Sequence, residues 1–155
     1  DYFLKIFDNV HLVGIALCLT GILLILSKRF KNNQKAISFS SSILVGVMQA
    51  IAIIPGISRS GSTISICMYL GIPPKEAARF SFLLSIPVIL GASILGFLEL
   101  EFNNTFNYQT LTVAITTSFF TGVLALKILL KILETGRFYF FGFYCLIIGV
   151  STIFI

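Results

Sequence analysis

Four stretches of this chain, Val10 to Leu26, Ser81 to Leu98, Leu111 to Leu130 and Phe138 to Ile155, contain no carboxylate and only one lysine, Lys127. Each runs about 17 to 20 residues, roughly 25 to 30 Å as a helix, which matches the hydrocarbon core of a bilayer. Lipid offers no partner to open backbone groups, so such segments are helical, and no alternating ten-residue strand pattern competes. Composition agrees, with 57% hydrophobic residues, 11% charged residues and a mean hydropathy of +1.01, far from the soluble range. The expectation is an all-α polytopic membrane protein, residues 1–155 forming one membrane domain.

Charge predicts how the chain threads. Lys28, Arg29, Lys31, Lys35, Lys75, Arg79, Lys127, Lys131 and Arg137 fall in or beside three inter-helix segments that one side of the membrane can share. Asp1, Asp8, Glu99 and Glu101 fall on the other. The positive-inside rule makes the basic segments cytoplasmic. A net charge of +5 in so apolar a chain therefore reads as topology and anionic lipid rather than nucleic acid, for which no basic tail or aromatic–basic patch exists. Cys18, Cys67 and Cys145 lie in apolar runs without metal or disulfide spacing. His11 is the sole histidine, which sets aside phosphatase chemistry that needs a histidine nucleophile and a second acid–base histidine.

Residues 36–71 behave differently. The apolar runs Ile43 to Ile54 and Thr63 to Leu70 are too short to cross a core of about 30 Å, and Pro55-Gly56 breaks the helix between them. A re-entrant helical hairpin is expected, because irregular backbone at membrane depth is tolerated where it lines a polar cavity. Two tilted spans joined by an interfacial loop are the alternative.

The turn of that hairpin reads Pro55-Gly56-Ile57-Ser58-Arg59-Ser60-Gly61-Ser62-Thr63. A guanidinium at the bilayer centre costs roughly 2.5 to 3.5 kcal/mol, so Arg59 should face a cavity and meet an anion or backbone carbonyls. Gly56 and Gly61 permit turning and close approach, while Ser58, Ser60, Ser62 and Thr63 supply hydroxyls. A helix starting here adds free N–H groups and a positive dipole end, the elements of a phosphate cradle. Gly56, Ser60, Gly61 and Ser62 are its candidate phosphate-binding residues. The alternative is a tight small-residue turn with Arg59 bonded to carbonyls. Gln49, about two turns before the break, is a candidate for a hydrogen bond across the hairpin or to substrate, with polar packing as the equal alternative. Glu76 and Arg79 read as an ion pair at a helix start.

The stretch GVMQAIAIIPGISRSGSTISICMYLGIPPKEAARFSFLLSIPVILGASILG resembles the second signature region of the undecaprenyl-diphosphate phosphatases, also called bacitracin-resistance proteins. The match lies in Gln49, in PG-x-SRSG-x-T at Pro55 to Thr63, and in Ala77-Ala78-Arg79-Phe80-Ser81-Phe82-Leu83 with Ile86-Pro87. The resemblance implies a multi-pass enzyme of the bacterial inner membrane that hydrolyses undecaprenyl diphosphate to the monophosphate, recycling the carrier lipid of cell-wall synthesis. It implies inverted repeats with re-entrant hairpins, of which this chain is one half, and an active site that includes Ser58, Arg59 and Thr63. It also implies an assisting divalent cation, Mg2+ or Ca2+. The family's first repeat, with E/Q-x-x-x-E and a histidine in a serine-rich turn, has no counterpart here, and Cys145 stands where the family often carries arginine. The chain therefore reads as the C-terminal part of a longer protein, with metal ligands and general base supplied by an N-terminal repeat and no metal site of its own.

Phosphoryl transfer asks a protein mainly to position the group and neutralise developing charge. Arg59 is expected to bridge diphosphate oxygens, Thr63 and neighbouring N–H groups to hold them, and Ser58 and Ser60 to place the scissile group. Ser58 as a covalent nucleophile lacks a base in this chain. The partners expected are a polyprenyl diphosphate lipid, the membrane, the N-terminal repeat and, as an open assembly state, further copies of the chain. A lipid-phosphate or anion translocase using the same cradle is the alternative function, and an accessory subunit without a complete site is a third.

Overall fold

The computed structural model describes residues 9–29, 34–98 and 108–154. Six α-helices are found among the described residues and no strand. They are α1 (Val10–Leu26), α2 (Phe39–Ile51), α3 (Arg59–Tyr69), α4 (Pro74–Leu98), α5 (Tyr108–Glu134) and α6 (Tyr139–Ile153), with a 3₁₀ turn at Ser27–Arg29.

Helix α1 has the bounds expected from its apolar run, because Asn9 caps it by accepting from the N–H groups of His11 and Leu12 at 3.1 and 3.3 Å. Helices α4 and α5 outreach their apolar runs, whereas α6, Tyr139–Ile153, falls inside the run Phe138 to Ile155. Helix α4 starts at Pro74 rather than Ser81, since proline suits a first helical turn, and α5 extends past both ends of its run. Residues 99–107, which include Glu99 and Glu101, and Asp1, Asp8 and Lys31 lie outside the described residues.

Helices α4 and α5 are long and apolar enough to cross a membrane, and only 11% and 0% of their apolar windows are buried inside the protein. A soluble protein would bury such surface; here Leu95 and Phe119 are 63% and 65% exposed. The fold is all-helical and presents the surface of a membrane protein.

Helices α2 and α3 pair as a hairpin of 13 and 11 residues, about 20 and 17 Å long, so neither crosses a core of about 30 Å. Helix α2 begins before the expected Ile43 because Ser38 and Ser41 form a reciprocal capping box. It ends at Ile51, before Pro55, as Ile53 N–H and Ile54 N–H turn back to the Ala50 and Ile51 carbonyls. The base of the hairpin closes through Lys35 N–H donating to Gly71 C=O at 3.1 Å. Gly71 holds a φ of 88° at the end of α3, a conformation favouring glycine.

Helix α1 packs along α6, and the α3 face that carries Ile64 and Cys67 joins Leu24, Val45, Ala77, Ala78, Leu133 and Phe138 in the core. The basic segments meet at one end: Lys75 pairs with Glu134 at 2.9 Å, and the Lys28 ammonium sits 4.2 Å from the centre of the Tyr139 ring. Arg79 donates to Glu76 at 3.0 Å, the helix-start pair read from the sequence. At the opposite end His11 Nδ1 lies 3.1 Å from the Ile153 carbonyl.

Candidate functional site

The turn Ala52–Ser58 reaches the middle of α1 and is tied there by one hydroxyl. Thr20 Oγ1 donates to Gly56 C=O at 3.3 Å and accepts from Ser58 N–H at 3.2 Å. Gly56 has a φ of 90°, and a Cβ there would stand 2.5 Å from the Val13 carbonyl oxygen, so backbone meets backbone with no room for a side chain. Sequence reasoning missed Thr20; its signal is a lone hydroxyl inside an apolar run. Thr20→Val keeps the shape but orphans both turn groups, and is expected to lower stability by about 1 to 3 kcal/mol. Thermal unfolding in detergent measures this, and an unchanged midpoint would refute the tie.

Ser58 is the N-cap of α3, its Oγ accepting from Gly61 N–H at 3.2 Å while its carbonyl accepts from Ser62 N–H at 2.9 Å. The N–H groups of Arg59 and Ser60 have no partner among the described residues. The half-buried Arg59 guanidinium makes no hydrogen bond or ion pair with any described residue either. The carbonyl-bonded alternative for Arg59 is therefore not what the structure holds. Two free N–H donors and the positive end of α3 meet at this helix start, and the Arg59 side chain leaves the backbone from the same turn, a set of groups suited to an oxyanion.

Not every expected residue comes to this point. Ser58, Ser60 and Gly61 line a cavity of about 260 Å³, whose other walls include Leu24, Ile64, Leu129, Phe141 and Tyr144. Gly61 is in regular helix, so its part is close approach rather than turning: a Cβ would sit 2.8 Å from Ser58 Oγ. Thr63 is fully buried and its hydroxyl is engaged, donating to Arg59 C=O at 2.9 Å and lying 2.6 Å from Ser81 Oγ. It braces the cradle against α4. Ser62 is fully buried as well, and its hydroxyl has no partner. Gln49 does not bond across the hairpin: its Nε2 donates to Leu84 C=O on α4 at 3.2 Å, and its Oε1 is buried without a partner.

The cradle does not fit a metal. Its free groups are N–H donors, a guanidinium and neutral serine hydroxyls, with no carboxylate among them, and no cluster of three or more His, Cys, Asp or Glu occurs among the described residues. What the arrangement can do is hold a phosphate by charge and by donated hydrogen bonds.

Residues 1–151 match the family described as Bacitracin resistance protein BacA. The chain is 41% identical, over 99% of its length, to the undecaprenyl-diphosphatase of Desulforapulum autotrophicum, covering 56% of that protein. It is 40% identical over 95% of its length to the undecaprenyl-diphosphatase of Korarchaeum cryptofilum, covering 55% of it. It is also 40% identical, over 99% of its length, to undecaprenyl-diphosphatase 1 of Bacillus cereus, covering 58%. The chain thus spans between half and two thirds of each of these relatives. With the PG-x-SRSG-x-T turn set at the start of α3 and a family match over residues 1–151, the chain belongs to the bacitracin resistance protein family BacA.

Proposed function

We propose that the protein containing this chain is an undecaprenyl-diphosphate phosphatase of the bacterial inner membrane, and that this chain supplies its electrostatic clamp. The single observation carrying the reading is the start of α3, where the N–H groups of Arg59 and Ser60 and the Arg59 guanidinium have no partner among the described residues. In the reaction, water attacks the terminal phosphorus, the P–O–P bond breaks, and undecaprenyl phosphate and inorganic phosphate leave. Charge develops on the phosphoryl oxygens, and donors fixed in place beforehand stabilise it without reorganisation. Arg59 bridges two such oxygens, the Arg59 and Ser60 N–H groups hold a third, and the Ser58 and Ser60 hydroxyls orient the scissile group. Thr63 acts from behind, fixing the first turn of α3 against Ser81.

Four spans, α1, α4, α5 and α6, with the α2–α3 hairpin entering from the basic, cytoplasmic side complete the reading. This unit forms one half of an inverted repeat. A divalent cation and the general base belong to the other half, and bacitracin resistance follows from recycling of the carrier lipid. The test is hydrolysis by the protein encoded by the whole open reading frame, reconstituted in vesicles. Phosphate release from undecaprenyl diphosphate is expected; movement of lipid phosphate across the bilayer without release would overturn the phosphatase in favour of a translocase.

A further inference from the structure

The cavity at Ser58, Ser60 and Gly61 has a larger neighbour. Its far walls, Phe141 and Tyr144, are also walls of a second cavity of about 510 Å³, which Ile132 and Phe140 line and Arg137 borders. Phe141 and Tyr144 lie at i and i+3 on α6 and so share one helix face. Both are accessible, at 39% and 62% exposure, and Phe140 beside them is 55% exposed, so the passage opens sideways onto the surface that lipid covers. The end at α3 carries the Ser58 and Ser60 hydroxyls at the helix start, while the remaining walls are aromatic and aliphatic apart from Arg137 at the border of the second cavity. That asymmetry fits an amphiphile whose anionic head sits at α3.

We propose that Phe141 and Tyr144 form the tail threshold of the site, receiving the first isoprene units of a prenyl diphosphate as they leave the cradle. The inference rests on the phosphatase reading and deepens it. Its support is adjacency: Phe141 and Tyr144 wall both the cavity at Ser58 and Ser60 and its larger neighbour, so a lipid whose head sits at α3 has these rings beside the start of its tail. Flat, branched isoprene units pack against aromatic faces, and each ring covered contributes through the area it removes from water.

The test uses the full-length enzyme and separates head from tail. Farnesyl diphosphate and undecaprenyl diphosphate serve as substrates, and inorganic diphosphate, which has a head and no tail, as competitive inhibitor. For Phe141→Ala and Tyr144→Ala, KM for both prenyl substrates is expected to rise about tenfold, the equivalent of about 1.4 kcal/mol of lost contact. The inhibition constant of inorganic diphosphate stays at the wild-type value, which also reports an intact cradle. An unchanged KM would overturn the proposal, as would a parallel rise in the inhibition constant, since the rings would then shape the head site or be covered by another part of the protein. Wild-type enzyme that fails to hydrolyse either substrate would instead sink the phosphatase reading and take this inference with it.

Discussion

Arg59→Ala is expected to lower kcat/KM for the prenyl diphosphate by about 10²- to 10³-fold, the loss typical of removing one preorganised donor from a developing oxyanion. The structure adds an expectation about stability that separates a functional arginine from a structural one. Because the guanidinium makes no hydrogen bond or ion pair with a described residue, its removal breaks no such bond among them. It relieves roughly 2.5 to 3.5 kcal/mol of burial cost if the group lies at membrane depth. The variant should therefore unfold at the wild-type temperature or above while losing activity, a trade common at active sites. Arg59→Lys should recover only a small part, since a point charge on a flexible stem cannot donate two parallel hydrogen bonds. Paired measurements of phosphate release and thermal unfolding decide it: an Arg59→Ala enzyme that melts early, or one that hydrolyses normally, removes Arg59 from the clamp.

How far the sequence exposes such a site depends on the kind of signal each residue leaves. Arg59 is legible because a cation in an apolar environment is costly wherever it lies, and Gly56 because a Pro-Gly break demands a turn. The bounds of α1 are legible because an unbroken apolar run meets a cap and a basic loop. Thr20 is not, since one threonine in a membrane helix usually bonds its own preceding turn, as Thr112 and Thr116 do to Tyr108 and Thr112. Only the arrival of the Gly56–Ser58 turn from 36 residues away gives it another role. The serine-rich motif misleads in the opposite sense. Four hydroxyls in six residues look convergent, yet a helix turns about 100° per residue. Ser58 and Ser60 reach the cavity while Ser62 and Thr63 point into the protein. Phe141 and Tyr144 resemble every other aromatic of α6 until the packing of α6 sets them beside α3.

That packing makes Gly142→Leu the second large effect. Gly14 and Gly21 on α1 face Gly149 and Gly142 on the antiparallel α6, seven residues apart on each helix. A Cβ on Gly142 would lie 2.7 Å from the Gly21 carbonyl oxygen, and one on Gly21 would lie 2.8 Å from that of Gly142. Between membrane helices no hydrophobic force drives association, so close backbone approach across small residues supplies the van der Waals contact. A leucine at 142 meets the Ile25 side chain at 2.7 Å, which can turn aside, but also the Gly21 carbonyl oxygen at 2.7 Å and Ile25 N at 3.1 Å, which cannot, so α6 must withdraw along its length. The expected loss is about 3 kcal/mol or more of stability, at the upper end for overpacked sites. Gly122→Leu on α5 is the control, since nothing lies within 4 Å of a Cβ there, and it should melt as wild type. The site should suffer with the fold, because α1 holds the hairpin turn through Thr20 while α6 walls the cavity through Phe141 and Tyr144. Separating the two helices moves the head's anchor away from the tail's threshold, so KM for prenyl diphosphates should rise even where folded protein is recovered. If Gly142→Leu melts with Gly122→Leu, the α1–α6 contact does not organise the protein in its membrane, and the register of cradle and cavity has another origin.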